Sequence, residues 1–260
     1  MRQSLALSST SVNAGNHSES KLMLDQISVS LNHMISYTLK KCPEAAEVLR
    51  YYNELHVENV TNKQIFAELT WIVYCSGFRF DVIRKYWPSI KKSFRGFEIA
   101  EIAFSQYEPE DQARRICQIS RFRNFRKALW CIQNARRIIE VDQERRRFGG
   151  LKAYLWEISQ KSPLDLVSST PAIIEELKFK GIGQTTIFHF LKNIGINIFK
   201  PDIHVRRILS DLRLIADEDV SPRKICWAMS FLSSISGISI SELDTLLFLY
   251  GKTSHDGEKA

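Results

Sequence analysis

The sequence predicts an all-α fold, and three observations carry that expectation. Apolar residues recur at helical spacing in nearly every segment, capping residues followed by proline punctuate the chain, and no run alternates apolar and polar residues convincingly enough for a strand. Leu24, Ile27, Leu31 and Met34 share one face of a first helix. Thr61 with Gln64 forms a capping-box pattern, followed by Ile65, Phe66, Leu69, Ile72 and Val73 at core spacing. Leu129, Ile132, Ala135 and Ile139 make another stripe, in a helix whose first turns hold Arg126 and Lys127. Thr170-Pro171 and Ser221-Pro222 read as cap-plus-first-turn pairs that start two more helices. Gly251, directly after Leu243 to Tyr250, reads as a helix stop. The expectation is about ten helices of modest length, with the aromatic side chains mostly in the core.

A chain of 260 residues can bury a sizeable core in one or two domains. Its 44% apolar and 25% charged residues exclude a disordered or fibrous protein. No run approaches the roughly 18 apolar residues of a membrane span, so no membrane partner is expected. The opening segment lacks a secretory apolar stretch, and residues 1–21 are expected to be a flexible tail ahead of one helical domain over 22–260. The formal net charge of +7 favours polyanion partners through counterion release, although many basic proteins bind none, so the position of the charge must decide. Cys42, Cys75, Cys117, Cys131 and Cys226 are scattered, with no C-x-x-C; this argues against zinc or iron–sulfur and for reduced, intracellular thiols.

The informative stretch is the unit 170–212, TPAIIEELKFKGIGQTTIFHFLKNIGINIFKPDIHVRRILSDL. A helix from about Pro171 to Lys178 should end at a turn through Gly181 and Gly183, and a second should run from Gln184 towards Gly195. The glycines leave backbone uncovered, and amides at the start of the second helix can be accepted by phosphate oxygens, aided by the helix dipole. Lys178 and Lys180 add positive charge, and Ile182 would anchor the turn. Taken alone, this is also the pattern of a plain αα-hairpin with glycine caps. Asp202 adds weight to the functional reading. It opens the next helix, 17 residues after Thr185, a distance that can return its carboxylate to the face that offers those amides. An ordinary N-cap is the bland role for the same aspartate.

FKGIGQTTI and then DIHVRRI resemble the helix-hairpin-helix DNA glycosylases, a superfamily that includes endonuclease III and the alkylpurine glycosylases. Phe66 to Phe94 is similar to the helix and loop that line the family's base pocket, Ile119 to Ile139 to its basic-turn helix, and Leu243 to Lys252 to its G-R segment. The likeness covers about residues 60–252, most closely in the hairpin–Asp unit. It implies a bilobal helical fold with a cleft between two lobes, the second completed by the N- and C-terminal helices.

The resemblance further implies a backbone grip through Lys180, Gly181, Gly183, Gln184 and Thr185, and a catalytic role for Asp202, with His204 orienting its helix or loop. Bifunctional members place an imine-forming lysine two residues after the second hairpin glycine. That position is Thr185 here, which argues for a monofunctional hydrolase; Lys200 is the alternative amine and is more simply a phosphate contact. The cluster cysteines of endonuclease III and the zinc ligands of some methyladenine glycosylases are missing. No cofactor is therefore expected beyond a monovalent cation at the hairpin.

A glycosylase must flip its base out, hold it, and stabilise an oxocarbenium-like sugar, for which a carboxylate serves electrostatically and as a base towards water. A helix N-terminus suits that anionic role of Asp202. Phe78, Arg79 and Phe80 form an aromatic–basic–aromatic cluster fit to stack on a flipped base or plug its gap; the bland reading makes the two rings core and the charge solvated. Trp71 reads as core. Arg123 and Lys127, with Arg121 and Arg126, are the phosphate-contact candidates, ahead of a solvated Arg145-Arg146-Arg147 run.

The expected activity is excision of a modified base from double-stranded DNA by a monomer, leaving an abasic site. The expected location is cytoplasmic, at the nucleoid, in a prokaryote and otherwise nuclear. Two other readings stay open: removal of hypermodified bases from foreign DNA such as that of a phage, and a non-catalytic clamp. A clamp would not need Asp202. The identity of the base stays open as well, because it resides in pocket shape.

Overall fold

A computed structural model describes residues 11–216 and 220–256, and these form thirteen α-helices and three short 3-10 turns. No strand occurs among the described residues. The helices are α1 (Ser11–Lys41), α2 (Ala45–Glu54), α3 (Asn62–Cys75), α4 (Phe80–Ser93), α5 (Ile99–Ala103), α6 (Pro109–Ser120) and α7 (Phe125–Glu144), then α8 (Gly150–Ser159), α9 (Pro163–Leu177), α10 (Gln184–Asn193), α11 (Ile203–Asp211), α12 (Pro222–Ser236) and α13 (Ile240–Asp256). The stretch 1–21, expected as a tail, is helical from Ser11 onward, and residues 1–10 lie outside the described residues.

Two groups of helices arise from the packing. In the central lobe α7 is the hub, contacting α3, α5, α6 and α8, while α4 lies against α6. In the other lobe α13 packs on α1, α2, α11 and α12. The pair α9–α10 spans the two, α9 against α12 and α10 against α3. The hairpin is thus the joint between the lobes, the place from which backbone amides can be offered beside a cleft.

Local sequence chemistry explains most helix starts. The Thr61–Gln64 capping box forms in both directions, Gln64 Oε1 accepting from the Thr61 N–H at 2.8 Å and Thr61 Oγ1 from the Gln64 N–H at 3.2 Å. Ile65, Phe66, Leu69, Ile72 and Val73 are all buried behind it. Ser221-Pro222 starts α12 as expected. In α1 Ile27 and Leu31 are buried, whereas Leu24 is exposed.

Two helix boundaries differ from expectation. Thr170-Pro171 does not start a helix: α9 begins at Ser162-Pro163, with Ser162 Oγ accepting the Asp165 N–H, and Pro171 lies inside it. A proline there removes the donor to the carbonyl four residues back, which is that of Val167. The Thr170 hydroxyl takes over, donating to Val167 O at 2.8 Å, so the threonine repairs the helix instead of capping it. Gly251 likewise does not stop α13, which runs on to Asp256. A Cβ at Gly251 would stand 3.0 Å from His204 Nδ1, so this glycine makes room for α11 to pack.

Candidate DNA-binding and catalytic site

The turn between α9 and α10 is set by a residue outside it. Asn134 of α7 is buried and grips the Lys180 peptide from both sides: Oδ1 accepts the Lys180 N–H at 2.6 Å, and Nδ2 donates to the Lys180 carbonyl at 3.0 Å. Gly181 has φ +78°, and a Cβ there would stand 2.8 Å from the Trp130 ring, so conformation and close packing both demand glycine. Gly183 differs: its φ is −120°, and nothing lies within 4 Å of the place a Cβ would take. The Thr186 hydroxyl accepts the Gly183 N–H at 2.7 Å. The amides of Gln184, Thr185 and Thr186 open α10 and by helix geometry have no carbonyl of their own turn to bond. Ile182 is buried, while Lys180, Gly183, Gln184 and Thr185 are exposed around these amides.

After α10 the chain doubles back. Gly195, at φ +90°, crosses so near the Leu55–Val57 backbone that a Cβ would stand 2.7 Å from Leu55 O. Phe199 then stacks on Phe188, with ring centroids 5.9 Å apart and planes at 20°. Phe188 lies four residues, about 6 Å of helix rise, from Gln184. The returning loop thus brings Asp202 back alongside α10, within electrostatic reach of Lys192. Asp202 is the N-cap of α11: Oδ1 accepts the His204 and Val205 N–H groups at 3.1 Å each, while Oδ2 faces Lys200 Nζ at 3.7 Å. One carboxylate oxygen is anchored and the other is turned to a cation. The His204 ring is turned elsewhere, edge-on to Phe248 at 5.4 Å and against Gly251, so this residue orients Asp202 through its backbone N–H and not through imidazole.

The neighbourhood of Asp202 is polar on both flanks. On α3 the Glu68 carboxyl is pushed up by burial, an effect opposed by Asn193, which donates to Glu68 Oε2 at 2.9 Å. Tyr52 Oη donates to Asn193 Oδ1 at 3.1 Å. Burial pushes the Cys75 thiol up to about 12, and Lys200 and Glu68 lie within its electrostatic reach. On α10 burial lowers His189 to about 3, with Lys200 and Lys192 acting in the same direction. Beneath these, Lys192 forms a buried ion pair with Asp244 of α13.

At the turn between α3 and α4, Phe78 and Phe80 are exposed and flank Arg79, whose guanidinium lies 3.6 Å from Asp81. Phe78 meets Phe122 edge-on at 5.1 Å, and Phe80 meets Trp71 at 5.2 Å. The three residues are therefore presented on a surface braced by an aromatic layer. Arg123 is exposed in the loop before α7, and Arg126 lies over the Trp130 ring at 5.9 Å.

Lys127 corrects the sequence reading. It is buried, and its ammonium donates to the carbonyls of Val73 and of Ser76, the latter at 2.6 Å, at the C-terminus of α3. Burial lowers its pKa, and its charge faces the negative end of that helix dipole, so it caps α3 and is not offered to phosphate. Arg145 is also no solvated helix end: it pairs with Glu176 and covers the Tyr154 ring at 3.7 Å.

A cavity of about 550 Å³ lies between α4, α5 and α6, lined among others by Arg95, Tyr107, Gln112 and Arg115; none of its lining residues belongs to the hairpin–Asp unit. Sequence reasoning missed Asn134, Glu68, His189, Lys192, Asn193 and Asp244. Asn134 did carry a signal, a polar residue inside an apolar helix stripe.

A family model for methyladenine glycosylase matches residues 41–199. The chain belongs to that family. It is accordingly a DNA glycosylase of the helix-hairpin-helix superfamily, a DNA-binding hydrolase of DNA repair. The match ends three residues before Asp202, so the assignment of that carboxylate rests on its geometry. Among solved structures, the chain is similar to the 8-oxoguanine DNA glycosylase of Methanocaldococcus jannaschii, with a TM-score of 0.49, 19% identity, and coverage of 89% of this chain and 94% of that one. A comparison with curated proteins returned no match.

Proposed function

We propose that this glycosylase is monofunctional: it flips a modified base out of double-stranded DNA and hydrolyses the glycosidic bond with Asp202 as the acting carboxylate. One observation carries the reading. The loop after α10 folds back along that helix to Asp202, whose Oδ1 is held by two backbone N–H groups while Oδ2 is left towards Lys200. An anion so fixed stabilises an oxocarbenium-like sugar and can take the proton of an attacking water. The α10 amides with Lys180, and Arg123, grip phosphates on either side, which gives affinity without sequence preference. Phe78 and Phe80 supply ring faces for an extruded base or for the gap it leaves, and Arg79 supplies charge.

The position two residues after Gly183 is Thr185, whose hydroxyl cannot form an imine, and this supports hydrolysis without strand cleavage. The defining experiment is a panel of duplexes, each with one defined modified base: alkylated purines, 8-oxoguanine, mismatches and bulky cytosine modifications. Abasic sites should appear on at least one, as breaks formed only on heating in alkali. A panel bound but never cut would favour the clamp, and cutting confined to bulky modified cytosines would favour a role against foreign DNA.

A further inference from the structure

Asp244 makes two contacts that tie the turn before Asp202 to α10 and α13. It is buried on α13, its Oδ1 accepts the Lys200 N–H at 3.0 Å, and its Oδ2 pairs with Lys192 Nζ on α10. The same peptide is used again on its other side, since the Lys200 carbonyl accepts the Asp202 N–H at 2.7 Å. Pro201 lies between, buried, with φ fixed by its ring, and its carbonyl accepts from Arg206 Nε at 3.3 Å. Asp244, Lys200 and Asp202 thus form a chain of hydrogen bonds through one tight turn. Few degrees of freedom separate the buried Asp244 carboxylate from that of Asp202.

A buried ion pair is a poor source of net stability, because desolvation consumes most of the attraction. Lys192 is nevertheless fully engaged. It donates to Thr245 Oγ1 at 3.3 Å and lies 5.0 Å from the centre of the Tyr52 ring. Although burial acts to lower its pKa, the Asp244 carboxylate holds the ammonium above the usual lysine value. The cation lets a second carboxylate sit beneath the site without an uncompensated negative charge.

We propose that Asp244 is a positioning residue for base excision: by holding the Lys200 N–H it fixes the Lys200–Pro201–Asp202 turn, and with it the distance from the Asp202 carboxylate to the sugar. The proposal rests on the reading of Asp202 as the acting carboxylate. Misplacing a reacting group by about 1 Å costs on the order of 10²-fold in rate, so a loosened turn should be visible in chemistry before it is visible in binding.

Two matched double variants separate positioning from stability. Lys192→Met/Asp244→Asn removes both charges but keeps an oxygen for the Lys200 N–H; Lys192→Met/Asp244→Leu removes both charges and the acceptor. Single-turnover base release is measured from dimethyl-sulfate-methylated duplex DNA and from an 8-oxoguanine duplex. Affinity for undamaged duplex and amide hydrogen exchange at Lys200 and Asp202 are measured alongside, with Asp202→Asn in parallel.

The Asn-containing double variant should release base within about threefold of the parent and keep both amides protected. The Leu-containing one should be at least about tenfold slower, with affinity unchanged and both amides exchanging faster. Equal exchange in the two double variants, or equal release, overturns the positioning role even where Asp202→Asn is inactive. Normal release by Asp202→Asn brings down the reading of Asp202, and this proposal with it.

Discussion

Replacing Asn134 by alanine should loosen the hairpin without substituting any residue that meets DNA. The amide makes two hydrogen bonds to one peptide, at 2.6 and 3.0 Å, from a buried position on α7. Each is worth about 0.5–1.5 kcal/mol net, so the pair contributes about 1–3 kcal/mol. The Lys180 side of the turn is open, and water can re-pair part of what is lost, which favours the lower half of that range. Binding is affected through the same quantity: a turn that is no longer held must be ordered by the DNA, and 1.4 kcal/mol of ordering is about tenfold in Kd. Urea unfolding followed by circular dichroism, with anisotropy titrations of an undamaged duplex at two salt concentrations, measures both. The expectation is a lower urea midpoint, affinity reduced about tenfold, and a shallower salt slope as hairpin phosphate contacts are lost. An unchanged midpoint together with unchanged affinity would refute the view that Asn134 shapes the DNA-gripping turn.

The two hairpin glycines should separate cleanly. Gly181→Ala meets positive φ and the Trp130 ring, and should destabilise by about 1–3 kcal/mol. Gly183→Ala should leave the melting midpoint nearly unchanged and weaken binding to unrelated duplexes alike; full affinity would mean that DNA does not approach there. His189 should mark the acid limb of stability. It is neutral in the fold, with a pKa of about 3 against 6.5 for the exposed side chain, so its contribution is complete above pH 6.5 and is lost as pH falls towards 3. His189→Gln should lessen the fall in urea midpoint between pH 7.5 and 4.5, and an identical fall in both proteins would contradict the burial argument. Borohydride added during turnover should trap no protein–DNA adduct; strong trapping that disappears in Lys200→Ala would make Lys200, 3.7 Å from Asp202, an imine-forming amine. Excision should persist in excess chelator, and its abolition would require a metal that the proposed mechanism does not use.

What could be read in the sequence was what is encoded locally. The Thr61–Gln64 box, the Ser221-Pro222 start, the glycine-marked hairpin and an aspartate before a helix each lie within a few residues, where backbone chemistry decides the outcome. What could not be read depends on distant partners. Lys127 stands next to arginines that are exposed, and only the arrival of the α3 C-terminus beside it turns a candidate phosphate contact into a cap. Pro171 signals a helix start by itself, and only the Thr170 hydroxyl shows how the helix passes through it. Gly251 signals a stop until the His204 ring is seen packed against it. Asn134 and Asp244 were present as polar residues on buried helix faces. Their meaning lay in the Lys180 and Lys200 peptides they hold, 46 and 44 residues away in the chain.

The most direct test of the central claim is the single-turnover excision rate of Asp202→Asn on a duplex that the parent cleaves, measured with enzyme in excess. The asparagine oxygen can still accept the His204 and Val205 N–H groups, so α11 keeps its cap and the protein should fold and bind DNA as before. Only the negative charge is lost. The account predicts a rate lower by about 10²–10⁴-fold at unchanged affinity, the scale of a positioned carboxylate. Excision within a few-fold of the parent would contradict it.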